Sequence, residues 1–278
     1  MSISLPTYTR REKPLLGRGH RVRAIVAAGL QREFHRTATI VVSALGILGT
    51  VVPAVLVVFF AAFLLQGQPL DVSFFYIPAS FMTILLFVTL MAAVVGGGLI
   101  ADDVASMALT LYLSRPITTA DYLVAKAIIL GGLVAMVSVL PLAITPIATG
   151  LLGLFSWTIA LPALAISIGL GLLLTAFYGS VSLLLSSLTR RRGFAAAGMF
   201  ALTFGLTIPA TLLAGAIGNP SILYLSPWDN YLAVAGAAFG VPDQPIDWPP
   251  ALAILLGATA VASLVTYLRV RSMEVVSG

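Results

Sequence analysis

Two adjacent carboxylates, Asp102 and Asp103, are the residues of this chain whose types and spacing come nearest to catalytic chemistry. Paired aspartates share the acid and base roles in aspartyl proteases. Successive side chains on a helix point about 100° apart, so neighbours in sequence cannot act on one substrate bond. No other apolar segment supplies a partner carboxylate. We therefore expect no aspartyl protease.

Other catalytic groups are equally scarce. Neither of the two lysines, Lys13 and Lys126, follows a glycine, so the chain has no Gly-Lys-Ser/Thr phosphate loop. The two histidines, His20 and His35, lie in a basic N-terminal stretch, which leaves no His-Glu-x-x-His zinc site and no base for a membrane serine protease. We expect this chain to be no enzyme and to bind no cofactor or metal.

The amino-acid composition indicates the class of protein that carries these residues. The chain has 278 residues, of which 59% are hydrophobic and 9% are charged. A water-soluble domain has about 25% charged residues. Such a chain is neither a soluble enzyme nor a disordered protein, and the net charge of +5 does not indicate a nucleic-acid reader. The composition is that of an integral membrane protein, whose partner is the lipid bilayer.

The uncharged runs predict an all-α membrane domain with six spans. A bilayer core about 30 Å thick needs about 20 helical residues. The expected spans are 38–65, 77–100, 122–150, 157–188, 193–216 and 249–269. They form one domain over 37–269, between a basic tail with an interfacial helix over 1–36 and a tail over 270–278. An outer hairpin is expected over 217–248, with Trp228 and Trp248 at headgroup depth.

The basic residues predict the orientation. With six spans, all 15 Lys and Arg residues fall on the side that holds both termini, and the connections on the other side have none. Basic residues accumulate on the cytoplasmic side of membrane proteins. Both termini are therefore expected in the cytoplasm.

Residues 20–36 have the spacing of an amphipathic helix. Its basic face includes Arg21, Arg23, Arg32 and Arg36, which would contact anionic headgroups at the cytoplasmic surface. The alternative is a basic tail that merely orients the first span.

The connection 101–121 is unusually apolar, with Leu111 and Tyr112 among its residues. Its aspartates suit a helix N-terminus, and Pro116 ends that helix. Thr118 and Asp121 form a capping-box pattern that would start the third span. We expect a short cytoplasmic helix that meets a partner protein, or alternatively lies on the membrane surface.

With the span bounds given above, no span has a charged side chain in its interior. Ion-driven carriers normally need a charged side chain within the membrane. Uphill transport would therefore take its energy from another polypeptide, acting at 101–126. Six hydroxyl side chains could line a path through the spans, although hydroxyls also bond their own helix. They are Ser138, Thr145, Ser167, Thr175, Ser180 and Ser182.

One stretch of this sequence is Asp102-Asp103 followed by Leu109-Thr-Leu-Tyr-Leu-Ser-Arg-Pro-Ile-Thr-Thr-Ala-Asp-Tyr-Leu-Val-Ala-Lys126. It resembles the signature loop of type-2 ABC exporter permeases. The last outer connection contains Ser226-Pro227-Trp228, which fits the same family. The resemblance implies a coupling helix that docks on a separate P-loop ATP-binding subunit, which would hold ATP and magnesium. It also implies a second permease chain, in a homodimer or a heterodimer. The implied coupling residues are Asp102, Asp103, Leu111, Tyr112, Arg115 and Pro116.

These observations predict a permease subunit in the plasma membrane of a prokaryote. The alternatives are a membrane anchor or scaffold that transports nothing, and an ion-coupled carrier. The substrate is not specified by the residues, although the apolar spans favour a hydrophobic cargo over an ion.

Overall fold

The computed structural model describes residues 17–64, 70–107 and 117–275. Within these ranges the chain is helical and contains no β-strand. The helices are α1 (Arg18–Phe34), α2 (Thr37–Leu64), α3 (Tyr76–Ala79), α4 (Met82–Ala105), α5 (Thr119–Leu151), α6 (Trp157–Leu188), α7 (Arg192–Ile217), α8 (Pro227–Ala238) and α9 (Trp248–Val275). Two 3₁₀ turns, Val72–Phe75 and Pro220–Leu225, precede α3 and α8. The predicted all-α fold is confirmed.

Six helices, namely α2, α4, α5, α6, α7 and α9, are long and apolar enough to cross a membrane. The predicted number of spans is therefore confirmed. The second span differs most in its bounds: the sequence placed it at 77–100, and the structure has it at Met82–Ala105. Phe81 has an extended backbone with ψ 122°, which separates the preceding short helix from the span. At its other end the helix continues past the predicted boundary and includes both aspartates.

Helix α4 occupies the centre of the bundle. In its most apolar stretch 78% of the residues are buried, against 22–44% in the other five spans. Helices α2, α5, α6 and α7 pack around it. Its buried side chains include Ile84, Leu85 and Val88, with no exposed surface. The helix that leads to the predicted coupling loop is thus held by the rest of the protein and not by lipid.

Because consecutive spans run in opposite directions, the basic residues collect at one end of the bundle. This basic end contains α1, the last turn of α4, the first turns of α5 and the α6–α7 turn with Arg190, Arg191 and Arg192. Arg269 near the end of α9 joins it, since its Nε donates to the carbonyl of Ser187 at 2.7 Å. The opposite end carries Asp71 and the connection between α7 and α9.

Helices α5 and α6 make the most extensive contact among the described helices. A Cβ added to Gly171 would lie 2.6 Å from the Cα of Val139, so only glycine allows the two backbones to approach this far. One turn away, the hydroxyls of Ser138 and Thr175 are hydrogen-bonded at 2.9 Å. A small residue and a polar pair are the usual means by which membrane helices associate.

The connection between α7 and α9 folds into two helical pieces joined at Ser226. The Ser226 hydroxyl caps α8 by accepting the Asp229 N–H at 3.1 Å and donates to Thr207 of α7 at 3.2 Å. The side chain of Asn230 donates to the carbonyl of Tyr224 at 2.8 Å, which fixes the 3₁₀ turn against α8. The connection therefore has a defined structure of its own and is attached to a span.

The two tryptophans predicted at headgroup depth differ in their exposure, and their depth in the membrane stays a prediction. Trp228 is 5% exposed and stacks on Tyr231 with ring centroids 5.0 Å apart, whereas Trp248 is 49% exposed. The first turn of α8 packs into the bundle and carries Trp228 with it, so the aromatic ring contributes to the core.

Asp229 is the partly buried carboxyl of this connection. Burial raises the pKa of Asp229 above its ordinary value of 3.8. The folded state then holds this proton more tightly than the unfolded chain does. The contribution of Asp229 to stability is therefore unfavourable at neutral pH and improves as the pH falls through the raised pKa.

We expect Asp229→Asn to raise the melting temperature at pH 7 and to leave it nearly unchanged at pH 4, since the amide cannot ionise. The measurement is thermal denaturation in detergent across this pH range. Asp243→Asn, at an exposed position of the same connection, serves as the control. A parallel shift of the whole Asp229→Asn curve would contradict the assignment.

Gly171→Ala should destabilise the bundle by about 1–3 kcal/mol, because the added methyl group forces α5 and α6 apart. The matched control is Gly169→Ala, two residues away, where a Cβ meets nothing within 4 Å. Thermal denaturation of both variants in the same detergent tests the difference. Equal melting temperatures would mean that the α5–α6 contact does not hold the fold.

Candidate coupling site

The predicted coupling residues divide into two groups in the structure. Leu111, Tyr112, Arg115 and Pro116 lie outside the described residues. Asp102 and Asp103 lie in Ala101–Ala105, a single helical turn that extends α4 beyond a break at Ile100. The coupling role of all six residues remains a prediction.

The start of α5 follows the predicted capping box. The Thr118 hydroxyl accepts the Asp121 N–H at 3.2 Å, and an Asp121 carboxylate oxygen accepts the Thr118 N–H at 3.4 Å. These reciprocal bonds satisfy two backbone donors that a helix N-terminus would otherwise leave unpaired. Thr118 therefore fixes the point at which α5 begins.

Asp103 joins the two helices that flank those residues. It is 3% exposed, and its Oδ2 lies 2.6 Å from the Nζ of Lys126 on α5. The Tyr122 hydroxyl donates to the same oxygen at 2.8 Å. Tyr122 and Lys126 are four residues apart and so lie on one face of α5. The end of α4 and the beginning of α5 are thus connected through a buried ion pair.

Helix α1 and the connection that follows it add a second carboxylate and two arginines. Glu33 has no exposed surface; its Oε2 lies 3.0 Å from Nη1 of Arg36 and accepts the Thr39 hydroxyl at 3.1 Å. Arg32 lies between the two carboxylates, 3.6 Å from Glu33 and 3.9 Å from Asp103. We call Arg32, Glu33, Arg36, Asp103 and Lys126 the charge cluster. It combines three cations with two carboxylates at the basic end.

Helix α1 also packs against the bundle near the charge cluster. Gly29 of α1 lies against the side chain of Ile129 on α5, so the two helices are in direct contact. Arg36 is directed at Glu33, while Arg23 is exposed and Arg21 is half-buried. The amphipathic helix therefore has an internal face as well as the predicted basic one. Contact of its four arginines with headgroups stays a prediction.

Glu33, Tyr122 and Lys126 were not among the site residues predicted from the sequence. Lys126 was expected at the end of the cytoplasmic connection, whereas it is 4% exposed in the second turn of α5. The available signal was an i, i+4 pair of Tyr122 and Lys126 at the start of one span, opposite an aspartate at the end of the previous one. The partner of Glu33 could not be identified without the packing of α1.

The hydroxyl side chains predicted as a possible lining of a path through the spans mostly donate to backbone carbonyls of the helices. Thr145 donates to the carbonyl of Pro141 at 3.5 Å, and Ser180 to that of Phe177 at 2.9 Å. Ser182 instead crosses to α4, where it donates to the carbonyl of Ala92 at 2.6 Å. Among the described residues, no three His, Asp or Glu side chains are arranged to hold a metal ion.

Comparison with known proteins identifies the family to which this architecture belongs. A family model described as ABC-2 family transporter protein matches residues 30–275. The chain belongs to this family. The match includes all six spans and the connection between α4 and α5, so the resemblance predicted from the loop sequence is confirmed. A comparison with curated proteins finds no match.

As an ABC-2 family membrane protein, the chain is a transporter component with several membrane spans. The charge cluster connects α1, α4 and α5 at the basic end of this component. A force applied to residues 108–116 would reach α4 through Asp103, α5 through Lys126 and α1 through Arg32.

Lys126→Met should destabilise the protein by about 3–5 kcal/mol, because it leaves the buried Asp103 carboxylate without its cation. Adding Asp103→Leu should recover part of the loss, since the double variant buries no charge at this pair. Thermal denaturation of the two single variants and the double variant measures the effect. Asp102→Asn is the control at the adjacent half-buried carboxylate. A double variant that is less stable than both single variants would contradict the pairing.

Proposed function

We propose that this chain is the membrane-spanning subunit of an ATP-driven transporter and that a separate ATP-binding subunit moves it through the connection 101–121. The observation that carries the proposal is the ion pair of Asp103 and Lys126, which fastens together the two ends of that connection. A docking loop that transmits force needs rigid ends, because a flexible attachment would absorb the displacement.

Family membership supports the proposal that this chain forms the membrane pathway and that a separate subunit binds ATP. ABC-2 membrane components work as parts of ABC transporters. This sequence has no Gly-Lys-Ser/Thr loop of its own to bind nucleotide phosphates. ATP and magnesium would therefore bind to the partner subunit, and the permease would contribute the pathway.

Charge distribution supports the side on which the partner binds. The basic end carries Arg190, Arg191, Arg192 and the charge cluster, and basic residues accumulate on the cytoplasmic side of membrane proteins. We place both termini and the connection 101–121 in the cytoplasm, where ATP is available. A prokaryotic plasma membrane is the corresponding location.

A second permease chain completes the proposed transporter as a homodimer or a heterodimer. Helix α2 offers an apolar surface for such a partner or for lipid: Phe59, Phe60 and Phe63 are 50–61% exposed. The substrate would pass between the two chains. An apolar cargo fits the composition of the spans better than an ion does.

We expect Arg115→Glu combined with Leu111→Asp to abolish association with the ATP-binding subunit while leaving membrane insertion intact. The changes place a negative charge at each of two positions predicted to dock. The measurement is the amount of ATP-binding subunit that co-purifies with the tagged chain from its native membrane in mild detergent, together with substrate transport in vesicles.

The matched control makes the same two kinds of change at the α6–α7 turn, as Arg190→Glu with Leu188→Asp, both at exposed positions. It should keep the partner bound. Undiminished association in the Arg115→Glu, Leu111→Asp variant would refute docking at this connection. Absence of any ATP-binding subunit from the unaltered chain would favour a scaffold or an ion-coupled carrier.

A further inference from the structure

The second span is irregular where it leaves the core. It is α-helical from Met82 to Met91, widens to a π-helical turn over Ala92–Gly96, continues as Gly97–Leu99 and breaks at Ile100. Single π-helical turns within α-helices are uncommon and often lie at functional positions. This irregular stretch separates the packed part of α4 from the turn that carries Asp103.

Two serines of α6 bind the irregular stretch. The Ser182 hydroxyl donates to the carbonyl of Ala92 at 2.6 Å. The Ser186 hydroxyl donates to the carbonyl of Gly97 at 3.0 Å and accepts the N–H groups of Ile100 and Ala101 at 3.1 and 3.0 Å. Both serines are buried. Each end of the irregular stretch is therefore held by one hydroxyl from a neighbouring span.

Glycines make this contact possible. A Cβ at Gly96 would collide with the Ser182 hydroxyl, and one at Gly97 would lie 3.2 Å from the carbonyl oxygen of Arg192 at the start of α7. The run Gly96-Gly97-Gly98 lets α6 and α7 approach the backbone of α4 closely. It also leaves the backbone of α4 without side chains that would oppose a change of conformation.

We propose that the stretch 92–100 is the hinge on which the basic end of α4 moves during transport, and that Ser182 and Ser186 are the latch that holds the conformation described above. This proposal rests on the proposed function, because it specifies how a displacement at 101–121 enters the bundle. The two serines act as positioning residues and make no contact with a substrate.

Each hydroxyl of the latch can exchange its partner on α4 for an acceptor in its own helix. In the observed state the hydroxyls satisfy backbone groups that the irregular helix leaves outside its own α-helical pattern. When α4 moves away, each serine can bond a carbonyl one turn back in α6, as Ser180 does with Phe177 and Ser187 with Leu184. Because lipid supplies no alternative partner, only arrangements that pair these groups are populated. The stretch is therefore expected to switch between two positions and not to move continuously.

The experiment measures the position of the end of α4 with spin labels. The chain has no cysteine, so Ala105→Cys and Ser272→Cys provide unique labelling positions, both of them exposed. Ser272 is a suitable reference because Arg269 fastens this end of α9 to Ser187 of α6. Pulsed electron paramagnetic resonance of the chain alone in lipid nanodiscs gives the distribution of distances between the labels.

We expect one dominant distance in the parent and a second distance when Ser182→Ala and Ser186→Ala are combined. The ratio of the two populations should shift by roughly tenfold or more, because a tenfold shift corresponds to about 1.4 kcal/mol and each lost hydrogen bond contributes on that order. Ser180→Ala with Ser187→Ala is the matched control in the same helix and should leave the distribution unchanged. An unchanged distribution in the latch variant would overturn the proposal. If the double variant does not insert, each single latch variant must shift the distribution in the same direction.

A second arm distinguishes the hinge from the proposed function. In the parent reconstituted with its co-purified ATP-binding subunit, trapping with ATP and vanadate should populate the same second distance. Transport that continues while the distance stays single would overturn the hinge and leave the proposed function standing. If no ATP-binding subunit associates, the proposed function fails, and the measurement on the chain alone still decides whether the latch exists.

Discussion

Hydrocarbon offers no hydrogen-bond partner, so a polar group in the interior of this bundle gains stability by pairing within the protein. Many hydroxyls pair locally by bonding a carbonyl of their own helix, as Thr50 does with Gly46 at 2.7 Å. Other polar groups connect different helices. Asp103 reaches Lys126 on the next span, and Ser186 reaches the backbone of α4. This requirement for pairing thus determines which helices are joined by polar contacts.

The same requirement explains why the basic end is organised around α4. Its final turn is bound to α5 and α1 by the charge cluster, and the irregular stretch before that turn is bound to α6 by two serines. Charge interactions between buried groups are strong and long-ranged, whereas a hydroxyl bond is short-ranged and easily exchanged for another. The cluster is therefore the firmer attachment, and the serine contacts are the ones that can be released.

The sequence was sufficient for the features that depend on local order. The long uncharged runs located six spans, because a charged residue inside an apolar helix is costly enough to mark its boundary. Thr118 with Asp121 located the start of α5, because a capping box is formed within four residues. Features that depend on the relative position of two helices were not predictable in this way. The pairing of Asp103 with Lys126, the burial of Trp228 and the wide turn in α4 all require knowledge of how neighbouring helices face each other.

The charge cluster also has a consequence for biogenesis. Its members come from α1 and Arg36 shortly after it, from the end of α4 and from α5, and Lys126 leaves the ribosome last. Glu33 finds Arg32, Arg36 and Thr39 close by in the sequence, whereas Asp103 depends on Lys126 of the following span. At a synthesis rate of about 5–20 residues per second, Asp103 waits for about 1–5 seconds before that ammonium group is available. During this interval the second span contains a carboxylate that lacks its final partner, so the end of α4 cannot settle into its mature position. The third span therefore completes the packing of the amino-terminal half of the protein. Until that span is inserted, the insertion machinery holds an intermediate in which this carboxylate is unpaired.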